Sequence, residues 1–444
     1  MAEEPRQLLT IDKRLSLTEK RAVGGPVPLR LLASYFGVAL LGWLAAAVVL
    51  VVAAPDLAAG DTGARAPVLA AHLLALVFLP LAVSGGAFHL LPVMLRNDLR
   101  SPRRLWLALP LLAAGGGLTA PGVAFDVPRL LWPGATLVTA GLALVLVELG
   151  GLVVRAPRGR MLVASRTGVA LSLFHVVAAL VLGSLLFSNG DRTVLGVTHD
   201  RWLLVHLHVA LLGWVAMLIL TVGRTLAPML AVAPTAPGRR APVDEIALAA
   251  GVWLLATGIA ISRWLAVVGA VVVLLALARF GALVLRVART RRIELEGPLA
   301  HLLAGAAFLL QAAALGFALL AGIAHEERRT GAYVLLLLLG WAAGVTLGHL
   351  PKLLSLSLWV WWPPGPRPKQ DALYPRRLAQ AEAVAFAAGV ETLALGAFLG
   401  NVAAARAGGA LLVVAAALAV AAATGVWTRR RREMSSVTLD ERLG

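Results

Sequence analysis

A chain of 444 residues that is 59% apolar and only 14% charged, with no cysteine, does not have the composition of a soluble enzyme. Its mean hydropathy of +0.85 points to an all-α polytopic membrane protein. The net charge of +17 would suit a nucleic-acid binder if it formed one patch, but it is scattered in short clusters between apolar runs, so no nucleic-acid partner is expected. Without cysteine there are no disulfides, no thiolate metal sites and no covalently attached c-type haem; any metal or haem falls to His, Met, carboxylate or Tyr.

Residues 1–28 are polar and lack a cleavable apolar core, so they read as a cytoplasmic N-terminal segment. Twelve runs long enough to cross a ~30 Å hydrocarbon layer follow. They cover 29–54, 67–92, 103–123, 129–154, 162–188, 202–231, 244–262, 264–288, 298–323, 332–361, 378–400 and 407–427, giving a membrane domain over 29–428 in contact with lipid. Residues 363–377 form the longest polar loop, and 429–444 read as a solvated basic tail.

The basic residues take alternate loops. They stand at Arg6, Lys13, Arg14, Lys20 and Arg21, at Arg96 to Arg104, at Arg155 to Arg160, at Arg239 and Arg240, at Arg289 to Arg292, at Arg367 to Arg377 and at Arg429 to Arg432. The intervening loops hold only Arg65, Arg129, Arg263, Arg406 and a few others. This positive-inside bias puts both termini in the cytoplasm and favours an even number of spans.

Leu-Gly-Trp recurs at 41–43, 212–214 and 339–341, in helices 1, 6 and 10. Helix 2 aligns with helix 6 through His72/His208 and Pro92/Pro228, and Tyr333 of helix 10 then stands where His206 stands in helix 6. Helices 2, 6 and 10 therefore read as one element of a four-helix unit repeated three times.

Ionisable groups at membrane depth point to function. His206 and His208 lie two residues apart, about 200° around a helix, so each serves a different side. His72 and His208 fall at matching depth near the outer ends of parallel helices, and are expected to face each other as axial ligands of a b-type haem. His206 would then hold a second haem or a metal, or face a cavity. His89, His301 and His349 lie toward the cytoplasm as candidates for a second metal site, and His175 in helix 5 as a further metal or haem ligand. The bland alternative for each is a histidine bonded between helices. Glu148, Glu391 and Gln311 are candidate proton-path groups, and Arg279 is expected to snorkel to the inner surface.

The stretch His206-Leu207-His208-Val209-Ala210-Leu211-Leu212-Gly213-Trp214, followed by Pro228, resembles a ligand-bearing helix of subunit I of haem-copper oxidases, nearest the cbb-type and nitric oxide reductase branch. His72 with Phe88-His89-Leu90-Leu91-Pro92 is similar to that family's second helix. The pattern also resembles the NnrS-type haem and copper membrane proteins. The resemblance implies one or two b haems, His72 and His208 on the low-spin haem, His206 on a high-spin one, and a bacterial cytoplasmic membrane. It implies a small redox protein or quinol as electron donor, and oxidoreductase chemistry on nitric oxide or oxygen, in the manner of a nitric oxide reductase or terminal oxidase. The copper site is incomplete, because the run from Asp244 to Ser262 has no histidine pair. A transporter or channel, or a cofactor-free structural subunit of a respiratory complex, is the reading from another class.

Overall fold

In a computed structural model, residues 27–158, 162–190, 192–234, 242–323, 327–363 and 367–443 are described, with side chains as far as Met434. The basic residues up to Arg21, together with Arg160, Arg239, Arg240 and His325, lie outside them. The described chain is helical, and twelve helices are long and apolar enough to cross a membrane. Helix 1 is Leu29–Ala59, helix 2 Arg65–Leu95, helix 3 Pro102–Ala124, helix 4 Pro128–Arg155, helix 5 Val163–Asn189 and helix 6 His199–Leu230. Helix 7 is Val243–Ile261, helix 8 Arg263–Thr290, helix 9 Gly297–Leu320, helix 10 Glu327–Val360 and helix 11 Arg376–Leu399. Helix 12 spans with Val402–Met434, and its backbone stays helical to Leu443, so the expected solvated tail continues a helix. In lipid every backbone amide must be satisfied within its own segment, which is why apolar runs of this length become helices.

The three-fold repeat is written into the backbone. Helices 2, 6 and 10 each change to π-helical winding part-way along, at Leu74–Phe78, Val209–Ala216 and Leu335–Ala343. On the Leu-Gly-Trp alignment the π stretch of helix 6 superposes on that of helix 10, and on the His72/His208 alignment that of helix 2 falls within it. The π stretch of helix 10 packs against both others, and helix 10 is the most enclosed span. These three helices form the centre of the bundle.

The third and fourth helices of each unit pair as tight hairpins, 3 with 4, 7 with 8 and 11 with 12, and helix 12 closes the ring on helix 1. Glycines make the hairpins close. A Cβ on Gly122, Gly258 or Gly396 would lie 2.6, 2.0 or 2.4 Å from the backbone nitrogen of Leu131, Ala266 or Ala405 on the partner helix. Seven residues earlier in each unit stand Gly115, Gly251 and Gly389, whose added Cβ atoms would likewise meet the partner helix within 2.9 Å. Without a hydrophobic drive between helices in lipid, such backbone contact is what holds them together.

Most buried acids lie at the end where the loops carry arginine. Glu148 accepts from the Arg100 and Ser101 amides and from Arg104. It thus fixes the turn between helices 2 and 3. Arg224 of helix 6 binds Asp244 and Glu245 of helix 7, and Arg279, largely exposed, reaches Asp244 at 2.7 Å at the arginine-rich end. Gln311 donates to Glu391 at 3.1 Å.

Candidate histidine site

Four histidines share one local geometry. His72, His175, His208 and His349 each place Nδ1 2.7–2.8 Å from the carbonyl four residues back, on Val68, Leu171, Leu204 and Val345. A carbonyl only accepts, so Nδ1 carries the proton and the lone pair sits on Nε2, turned away from the parent helix. This is the tautomer and orientation a metal-ligating imidazole needs.

His208 is the most developed of the four. It is buried, it immediately precedes the π stretch of helix 6, and its Nε2 accepts from the Tyr333 hydroxyl of helix 10 at 2.5 Å. The two rings stack at 5.8 Å between centroids. Both line a cavity of ≈ 200 Å³ bordered by helices 6 to 10, where Thr330 is the only other polar side chain and the rest is aliphatic or Phe317. Gly316 makes room for the Tyr333 ring, since a Cβ there would come within 3.2 Å of it.

His72 and His208 do not share this cavity, so the expected pair of imidazoles facing each other across it is corrected. The Nε2 of His208 faces Tyr333, and His72 does not line the cavity. The charge neighbour of His206 is instead His72, on the other side of helix 6. The physical reason is the 200° turn between positions 206 and 208, which sends one ring toward helices 2 and 5 and the other toward helix 10. His206 lies against Gly183 of helix 5, with its Nδ1 buried and unpartnered.

His175 fills the junction of helices 5, 6 and 7. It stacks on Trp253 at 5.9 Å and presses on Gly213, where a Cβ would be 2.2 Å from its Cδ2; its Nε2 is buried without a partner. His89, His301 and His349 do not come together as a metal site. His89 Nδ1 lies 3.2 Å from Ser357 Oγ, whose own proton goes to Leu353, and His301 Nε2 bonds Glu382 at 2.8 Å. Among the described residues no group of three His, Asp or Glu side chains is placed to hold a metal ion.

Sequence reasoning gave Tyr333 no site role, although it is one of three tyrosines and stands at the repeat position of His206. It also missed Glu296, Lys352 and Glu382, whose positions at helix ends make them look like ordinary interfacial charges. No family model matches the chain, and no curated protein matches its sequence.

Proposed function

We propose that this is a haem-binding membrane protein in which His208 Nε2 holds the iron of a b-type haem seated toward the cavity between helices 6 and 10. The observation that carries the reading is one buried imidazole, with its tautomer fixed by Leu204, on the wall of an apolar cavity whose other polar groups are Tyr333 and Thr330. The donor chemistry fits a haem iron: a neutral Nε2 and an apolar surround for the macrocycle. A haem bound there would supply reversible binding or reduction of a diatomic gas such as nitric oxide or oxygen.

The protein's own residues would do the rest. His208 would exchange its bond to Tyr333 for the iron. The freed Tyr333 hydroxyl would donate a hydrogen bond within the cavity, and the aliphatic lining would exclude water. No second histidine lines this cavity, so His208 would be the histidine that holds the group there, which suits binding of a gas better than a bis-histidine electron carrier. His72 and His206, neighbours on the far side of helix 6, are the residues for a second haem or metal. The electron donor would be a small redox protein or quinol. The arginine bias of the loops supports both termini on the cytoplasmic side, and the resemblance to haem-copper oxidases a bacterial cytoplasmic membrane.

The visible spectrum of protein purified with haem tests this. A Soret band is expected, lost in His208→Ala and kept in His349→Ala. A colourless protein after haem supplementation would refute the reading and favour a transporter or structural subunit.

A further inference from the structure

At the arginine-rich end, helices 9, 10 and 11 bury a polar cluster that the haem reading does not use. Lys352 Nζ binds Glu296 Oε2 at 2.9 Å and Asp371 at 3.4 Å, and lies 4.6 Å from the Tyr374 ring centre. Arg376 bonds Glu294 at 2.8 Å and stands 3.6 Å from Glu296 Oε1. One step deeper, His301 bonds Glu382. Glu296, Lys352, Tyr374, His301 and Glu382 are each at most 4% exposed. Several of their polar atoms have no hydrogen-bond partner: Glu296 Oε1, Glu382 Oε1 and the Tyr374 hydroxyl. Buried polar atoms left bare are expensive and are normally met by water or an exchangeable proton.

His349 connects this cluster to the bundle centre. It lines a hollow of ≈ 20 Å³ together with Arg291, Glu294 and Glu296. It also lines a cavity of ≈ 100 Å³ between helices 2, 6, 9 and 10. A hollow of about that smaller size holds one water. The larger cavity is aliphatic apart from His349 and Thr346, whose hydroxyl is spent on Ala342. The Nδ1 proton of His349 is committed to Val345, so Nε2 is its basic atom.

We propose that this end of helices 9 to 11 is a proton-entry site: Glu296 takes a proton from the water phase, and a single bridging water passes one to His349 Nε2 at the wall of the central cavity. The step balances without redox chemistry. Glu296 Oε1 loses its proton to the water, the water gives another to Nε2, and an imidazolium and a carboxylate remain. The groups that set its pH dependence are His301 of helix 9, Lys352 of helix 10, Glu382 of helix 11, and Arg291, Glu294, Asp371, Tyr374 and Arg376 around the hollow. Helices 2 and 6 present only glycine and aliphatic side chains to the central cavity beside His349. Four carboxylates against three fixed cations leave one acidic group in excess. Burial, and then the Glu296 carboxylate, push the Tyr374 phenol up from its ordinary value. It therefore stays neutral.

The test uses full-length, haem-free, ¹⁵N-histidine-labelled protein in lipid nanodiscs, with the His349 resonance assigned by its loss in His349→Gln. The proton exchange of His349 should slow about tenfold or more in Glu296→Gln, recover in Glu296→Asp, and stay unchanged in Asp61→Asn, an exposed residue between helices 1 and 2. A His349 that exchanges as fast in a folded Glu296→Gln as in the parent would overturn the proposal. Because no haem is present, either outcome leaves the haem reading to its own test.

Discussion

Tyr333→Phe separates a structural hydrogen bond from a ligand position in waiting. In the structure the Tyr333 hydroxyl is the partner of His208 Nε2, and the Nδ1 proton is committed to Leu204. Removing the hydroxyl leaves a buried acceptor bare. An interhelical hydrogen bond in a membrane contributes about 0.6 kcal/mol on average and at most about 1.7. A 2.5 Å bond at a buried residue belongs at the upper end, so the expected loss is about 1–1.5 kcal/mol. On the haem reading, iron held by Nε2 would cancel that loss, because the parent protein would have to break the bond to bind it and the variant would not. The variant should therefore bind haem about five- to tenfold more tightly while being less stable without it. Thermal unfolding in one detergent, with and without haem, gives the first quantity, and a Soret titration gives the second. Equal destabilisation with and without haem, with unchanged affinity, would refute the reasoning: Tyr333 would then be a packing partner and His208 no ligand.

Gly258→Ala should prise open the hairpin of helices 7 and 8, since the new methyl would lie 2.0 Å from the Ala266 nitrogen; a loss of about 3 kcal/mol in denaturant titration is expected. Gly281→Ala in helix 8, with nothing within 4 Å, should be neutral or stabilising, and equal effects of the two would contradict the close-packed hairpin. Glu148→Ala leaves two loop amides and Arg104 without their acceptor, for a loss of about 2 kcal/mol, discounted because Arg104 is half exposed. Glu148→Gln, which keeps an acceptor oxygen, should lose less, and a Glu148→Ala variant as stable as the parent would show that the turn after helix 2 does not depend on this carboxylate.

The sequence alone determined the number, extent and class of the elements. Each apolar run became a helix, eleven of them within about five residues of their expected ends while helix 12 runs on through the expected tail, because in lipid a segment must satisfy its own amides whatever its neighbours are. The repeat was legible too, although the spacing of Gly115, Gly251 and Gly389 went unread beside the louder Leu-Gly-Trp. The orientation of His206 and His208 to opposite sides of helix 6 was likewise legible, since the helical pitch fixes it. Tertiary structure alone decided what each side meets: Tyr333 rather than His72 across from His208, Glu382 beside His301, and Glu296 one small hollow away from His349. Which imidazole meets which partner depends on how each helix is rotated and how deep it sits in the bundle. Those are set by glycine contacts and π turns between segments distant in the chain, and no local pattern of residues encodes them.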